Sequence, residues 1–99
     1  MTFDIAPPVL PAWAANKQQP AALRKRNILR FLFNYACLYI EPNLTLRQLA
    51  VQCGMTETAI TAAIGRGDVS EEMAQLVESL AGSKHFSAEW LLDPMQLTK

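Results

Sequence analysis

The chain has 99 residues, 51% of them apolar, so it is one domain that hides roughly 60–65% of its unfolded surface, which excludes a disordered chain. Nine basic and nine acidic residues cancel, so no overall field draws nucleic acid or a membrane toward it. The cancellation is not local: residues 1–50 carry +4 and residues 51–99 carry −4, which makes the molecule dipolar.

Residues 1–19 read as a proline-punctuated arm. Pro7, Pro8 and Pro11 favour extended backbone and remove amide donors. Ile5, Val9, Leu10 and Trp13 are the side chains that pin this arm to the body or to a partner. A basic start is missing and prolines break the apolar residues, so no signal peptide is expected. The longest nearly apolar run, Ile28 to Ile40, contains Arg30 and Asn34 and is too short to span a bilayer. The expectation is a soluble, cytoplasmic protein.

A first long helix starts near Pro20 and runs to Tyr39 or Ile40, ahead of Glu41-Pro42. Leu23, Ile28, Phe31, Leu32, Tyr35, Leu38 and Tyr39 form a broad apolar face, and Leu29, Phe33, Ala36 and Cys37 widen it beyond one surface stripe. Such a helix is either central in the bundle or covered by a second chain. A homodimer is therefore expected, with Trp13, Ile28, Phe31, Phe33 and Tyr35 at its surface. Arg24, Lys25, Arg26 and Arg30 keep the first turns of this helix wet.

Thr45-Leu46-Arg47-Gln48 is a capping box that starts a second helix, with Leu46, Leu49, Ala50 and Cys53 inward and Gly54 at its end. Met55 plugs the turn. Thr56 caps a third helix, about Glu57 to Ile64, whose Ile60 and Ile64 share a face. Gly65-Arg66-Gly67-Asp68 reads as its stop. Ser70 caps a fourth helix to about Leu80 with Glu71 and Glu72 in its first turn, where the helix dipole favours them. Ser87 caps a short fifth helix containing Trp90, halted at Asp93-Pro94. Residues 20–94 then form one helical domain and residues 95–99 a frayed tail. The fold class is all-α, a compact bundle of about five helices.

Ala50, Gly54, Ile60 and Ile64 have the spacing of a helix-turn-helix. Ala50 permits close approach, Gly54 a tight turn, and Ile60 locks the third helix across the second. The stretch from Leu44 to Leu80, LTLRQLAVQCGMTETAITAAIGRGDVSEEMAQLVESL, resembles the bacterial and phage repressor or Cro-like helix-turn-helix family. It has Ala50, Gly54, Ile60, the closing Arg66-Gly67 and the serine-capped helix at Ser70 in the matching places. The resemblance implies a homodimer that binds double-stranded operator DNA and regulates transcription, with the third helix in the major groove. It makes Thr56, Glu57, Thr58, Thr61 and Ala62 base-facing. Arg47 and Gln48 would meet phosphates, and phosphate neutralisation would also fall to Arg24, Lys25, Arg26 and Arg66.

The third helix, read as residues 57–64, has no Lys, Arg, Asn or Gln, the residue types that most often read guanine and adenine. Glu57 accepts from cytosine N4, and Thr58, Thr61 or Ala62 pack against a thymine methyl. With the acidic second half, this thin readout keeps a second expectation open: a protein-interaction or antitoxin-like accessory module on the same fold, with a protein partner instead of direct DNA readout.

No enzymatic reaction is expected. There is no glycine-rich phosphate loop after a strand, and His85 has no nucleophile beside it. The spacing of Cys37 and Cys53 suits no metal motif, and the two read as reduced thiols among apolar neighbours. No metal or cofactor is expected.

Overall fold

The computed structural model describes residues 6–98, and Ile5 and Lys99 lie outside the described residues. Among these residues the chain is all-helical, without a strand. Six α-helices, α1 (Ala12–Ala15), α2 (Ala21–Ile40), α3 (Leu46–Gln52), α4 (Glu57–Arg66), α5 (Glu71–Ala81) and α6 (Ala88–Leu92), are followed by a 3-10 helix, Pro94–Thr98. No helix among them is long and apolar enough to cross a membrane.

The long helix α2 touches every other element. Its Ile28, Leu29, Leu32, Phe33, Ala36 and Cys37 are buried, and they meet Leu49 and Ala50 of α3, Ile60 and Ile64 of α4, Val77 of α5 and Trp90 of α6 in one core. The breadth of the apolar face on α2 thus has an intrachain cause. Ile28 and Phe33, expected at a surface for a second chain, are fully buried among these helices, and that expectation is corrected. Phe31 and Tyr35 stay half-buried and Trp13 is 50% exposed. Leu38, at 69%, is the most exposed large apolar side chain of α2.

The ends of the helices follow local chemistry. Pro20 stands as the N-cap of α2, one residue before its first turn. Glu41 is extended (φ −162°, ψ 136°) and closes α2, as the residue before a proline tends to. Both ends of α3 are sealed. The Gln48 N–H donates to Thr45 Oγ1 (3.2 Å) while the Thr45 N–H donates to Gln48 Oε1 (2.9 Å). At the other end, Gly54 at φ +72° lets its own N–H reach the Val51 carbonyl and the Met55 N–H reach the Ala50 carbonyl, a Schellman closure.

Three segments depart from expectation. The arm forms α1, which buries Ala14 and docks on α2, where the Asn27 amide donates to the Trp13 carbonyl and to Gln19 Oε1. Only Gly67 (φ +68°) stops the fourth α-helix; Gly65 lies inside it, so α4 extends to Arg66. Pro94–Thr98 is no frayed tail: it packs on α2 and α6 with Pro94 buried. Glu78 of α5 ties that helix to the next, its Oε1 accepting the Ala88 N–H at the start of α6 (2.9 Å).

An aromatic series runs along α2. Trp13 meets Phe31 edge-on at 6.3 Å, Phe31 lies 5.8 Å from Tyr35, Tyr35 lies 5.1 Å from Tyr39, and Tyr39 stacks on exposed His85 at 4.7 Å. Tyr35 also faces the buried Phe86 and Trp90. The two tyrosine hydroxyls share a 3.1 Å hydrogen bond. That bond, then burial, push the Tyr35 phenol up to about 12 from its ordinary 10.0.

Two outcomes are expected. Ala50 is 1% exposed on the side of α3 packed in the core, so Ala50→Leu destabilises the protein by about 1–3 kcal/mol; denaturant melts of variant and parent measure it, and an unchanged midpoint would place Ala50 away from a close crossing. The folded chain keeps the Tyr35 proton after the unfolded chain has lost it. Stability from this group is therefore full below about pH 10 and lost as pH rises from about 10 to about 12. In Tyr39→Phe the remaining tyrosine titrates closer to its ordinary value, which tyrosinate absorbance reads directly; an unaltered titration would exclude the Tyr35–Tyr39 bond as the main cause.

Candidate nucleic-acid interface

The turn at residues 53–56 carries the chain from α3 directly into α4. Thr56 Oγ1 accepts the Ala59 N–H (3.2 Å) and fixes the start of α4. Helical periodicity then sorts the side chains. Ile60, Ala63 and Ile64 are buried, whereas Thr56, Glu57, Thr58 and Thr61 are exposed and Ala62 is half-buried at the edge. The outer row continues through Gly65, one turn beyond Thr61.

Hydrogen bonds limit what this row presents. The Thr61 hydroxyl donates back to the Glu57 and Thr58 carbonyls, both at 3.2 Å, so its proton is engaged and its methyl is the group left to face a ligand. The Thr56 oxygen accepts as a cap, and its O–H stays free to donate. Gly65 carries bare helix backbone outward: a Cβ built there meets nothing within 4 Å. Crowding therefore does not explain a residue that costs a helix about 1 kcal/mol relative to alanine. A surface of threonine methyls and bare backbone suits close approach by another molecule.

The sequence-derived cationic residues do not form one cluster. Arg24, Lys25 and Arg26 are consecutive in a helix, so they fan out by about 100° each. The methylenes of Lys25 lie against Gly67, the cap of α4 (3.4 Å from its Cβ position). Arg24 is half-buried with its Nε enclosed and without a hydrogen-bond partner, and Arg26 is exposed. Lys25 and exposed Arg66 thus both lie at the far end of α4, where Arg66, inside the observed helix, adds a cation that the shorter expected helix lacked. Arg47 and Gln48 are exposed in the first turn of α3. The Gln48 carbonyl is held by the capping box, which leaves its amide N–H groups as donors. Sequence reasoning placed Gly65 in a stop signal, whereas it lies inside α4 on the exposed side, and it did not single out the Thr56 hydroxyl as a donor.

Glu71 and Glu72 line an open hollow on α5 with Gln75, Leu76 and Ser79, and no α4 side chain borders it. No group of three or more His, Cys, Asp or Glu near enough to hold a metal ion occurs among the described residues. Cys37 and Cys53 are free. Burial raises both thiols above their ordinary value, and in Cys37 the nearby Cys53 adds to the rise, so reactive thiolate is scarce at neutral pH.

No family model, curated protein or solved structure matches this chain.

Gly65 has ordinary helical backbone and open space around it. Gly65→Ala is therefore expected to stabilise the fold by about 0.5–1 kcal/mol. Thermal or denaturant melts check this, and a loss of stability would mean that the helix is strained at this position.

Proposed function

We propose that the chain is a sequence-specific, repressor-like regulator that binds double-stranded DNA, with α3 and α4 as a helix-turn-helix and α4 inserted in the major groove. One observation carries the reading: the outer row of α4 (Thr56, Glu57, Thr58, Thr61 and Gly65) is free of packing while the opposite side is fully buried. A helix that enters a groove needs that division, together with small side chains that let its backbone approach base edges. The sequence resemblance to the repressor family supports the same assignment.

Each side chain has a distinct part. The Glu57 carboxylate accepts from cytosine N4, and the methyls of Thr58, Thr61 and Ala62 pack on thymine. Arg47, the Gln48 amide and the Thr56 hydroxyl donate to phosphates at one end of α4, and Lys25 and Arg66 do so at the other. The zero net charge keeps non-specific binding weak, because that binding comes from phosphate neutralisation. Glu71 and Glu72 on α5 border a hollow separate from the α4 row, consistent with a duplex lying on α4.

Selection from a random duplex library, followed by titration at two salt concentrations, tests the proposal. The expected result is an enriched sequence whose affinity falls with salt. Arg47→Glu weakens binding to all sequences alike, because phosphates carry no sequence information. Thr61→Ala changes preference at a single base pair by about 1 kcal/mol, the order of one buried methyl group. Folded protein that enriches no sequence at low salt would overturn DNA recognition and leave the α4 row as a contact for another protein.

A further inference from the structure

One hollow belongs to none of the contacts above. It measures about 280 Å³ and lies between the second half of α2 and the turn that leads to α3. Phe31, Tyr35, Leu38 and Leu44 supply its apolar walls, and Asn34 and Asn43 its side-chain amides. No Asp, Glu, Lys, Arg or His borders it among the described residues. One wall is a tight turn. Glu41-Pro42-Asn43-Leu44 folds back on itself, with the Leu44 N–H donating to the Glu41 carbonyl (3.1 Å) and Asn43 at φ +63°. Proline at the second place and a positive φ at the third are the marks of a type II turn. Asn43 is the only residue other than glycine with a positive φ among the described residues. The opposite wall is helix, where the Phe31 and Tyr35 rings lie 5.8 Å apart at 31°. A hollow between a helix and a proline-fixed turn keeps its shape without a ligand, as small-molecule sites usually do.

We infer that this hollow binds a small neutral aromatic compound that carries one N–H or O–H donor. Size sets the first limit. At about 30 Å³ for a water-sized group, the space holds about nine non-hydrogen atoms, a single fused ring system such as indole. The lining sets the second. Phe31 and Tyr35 offer ring faces and edges to another ring, whereas a charged group would lose part of its water and find no countercharge in the lining. The donor has a matching acceptor. Asn34 Nδ2 donates to the Arg30 carbonyl (3.0 Å), which orients the amide and leaves its Oδ1 to accept. The Tyr35 hydroxyl is already partnered with Tyr39, so the polar group of the ligand is assigned to Asn34.

This site stands apart from the α4 reading, and DNA plays no part in its test. Amide NMR shifts of the labelled, DNA-free protein are followed during titration with indole. Saturating changes confined to residues 31–44 are expected, with a Kd of about 1 mM or tighter. Benzoate, of similar size but charged, binds about tenfold more weakly or worse. Asn34→Ala, at an exposed position, keeps the parent's helical circular dichroism. It weakens indole about fivefold, the worth of one hydrogen bond, and leaves the binding of toluene, which has no donor, unchanged. No saturation up to the solubility limit of indole would overturn the inference and leave the hollow to a side chain of another protein. Changes centred on other elements would overturn the location. Equal binding of benzoate would overturn the selection for a neutral ligand, and an indole affinity indifferent to Asn34→Ala would overturn the assigned acceptor.

Discussion

The burial of α2 along one broad side is the constraint on which the other elements depend. Ile28, Leu29, Leu32 and Phe33 are fully enclosed, and each surrounding helix is too short to be stable alone. Isolated helices below about 12–15 residues are marginal in water, and α3, α4, α5 and α6 have 7, 10, 11 and 5 residues. They exist because their apolar faces close on α2. The orientation of α4, and with it the outward row from Thr56 to Gly65, is therefore set by contacts on the opposite side of the same helix.

Local signals were legible wherever the partner lies within a few residues. Thr45 with Gln48, Thr56, Ser70 and Ser87 all cap in the structure as their spacing implies, and Gly54 takes the positive φ that a tight exit needs. Signals failed where the partner is distant in sequence. The arm has no helical periodicity of its own, yet docking on α2 through Asn27 gives it a turn of helix. The 3-10 helix after Asp93 is held by α2 and α6, and the Glu78–Ala88 bond joins elements ten residues apart. Excess apolar width on α2 was visible, but whether its own chain or a second one covers Ile28 and Phe33 depends on tertiary packing.

The candidate site divides in the same way. The inward set of Ile60, Ala63 and Ile64, and hence the outward set, follows from helical periodicity alone. The donors do not. Three consecutive cations look like a patch in a linear chain and fan around a helix in three dimensions, so that Lys25 reaches Gly67 while Arg24 turns into a half-buried place. The Thr61 hydroxyl is withdrawn by its own backbone, which leaves the methyl as the group that residue presents. The surface that results is low in charge and small in relief, suited to apolar contact and close backbone approach more than to bidentate reading of purines.

Amide NMR shifts of the labelled protein during titration with duplex DNA at low salt test the placement of this surface most directly. Changes concentrated from Thr56 to Arg66 and at Arg47, Gln48 and Lys25, with Glu71 to Ser79 of α5 unmoved, are the result that a groove-entering α4 predicts. Changes centred on α5, or an α4 row that does not respond while the protein binds, would contradict it.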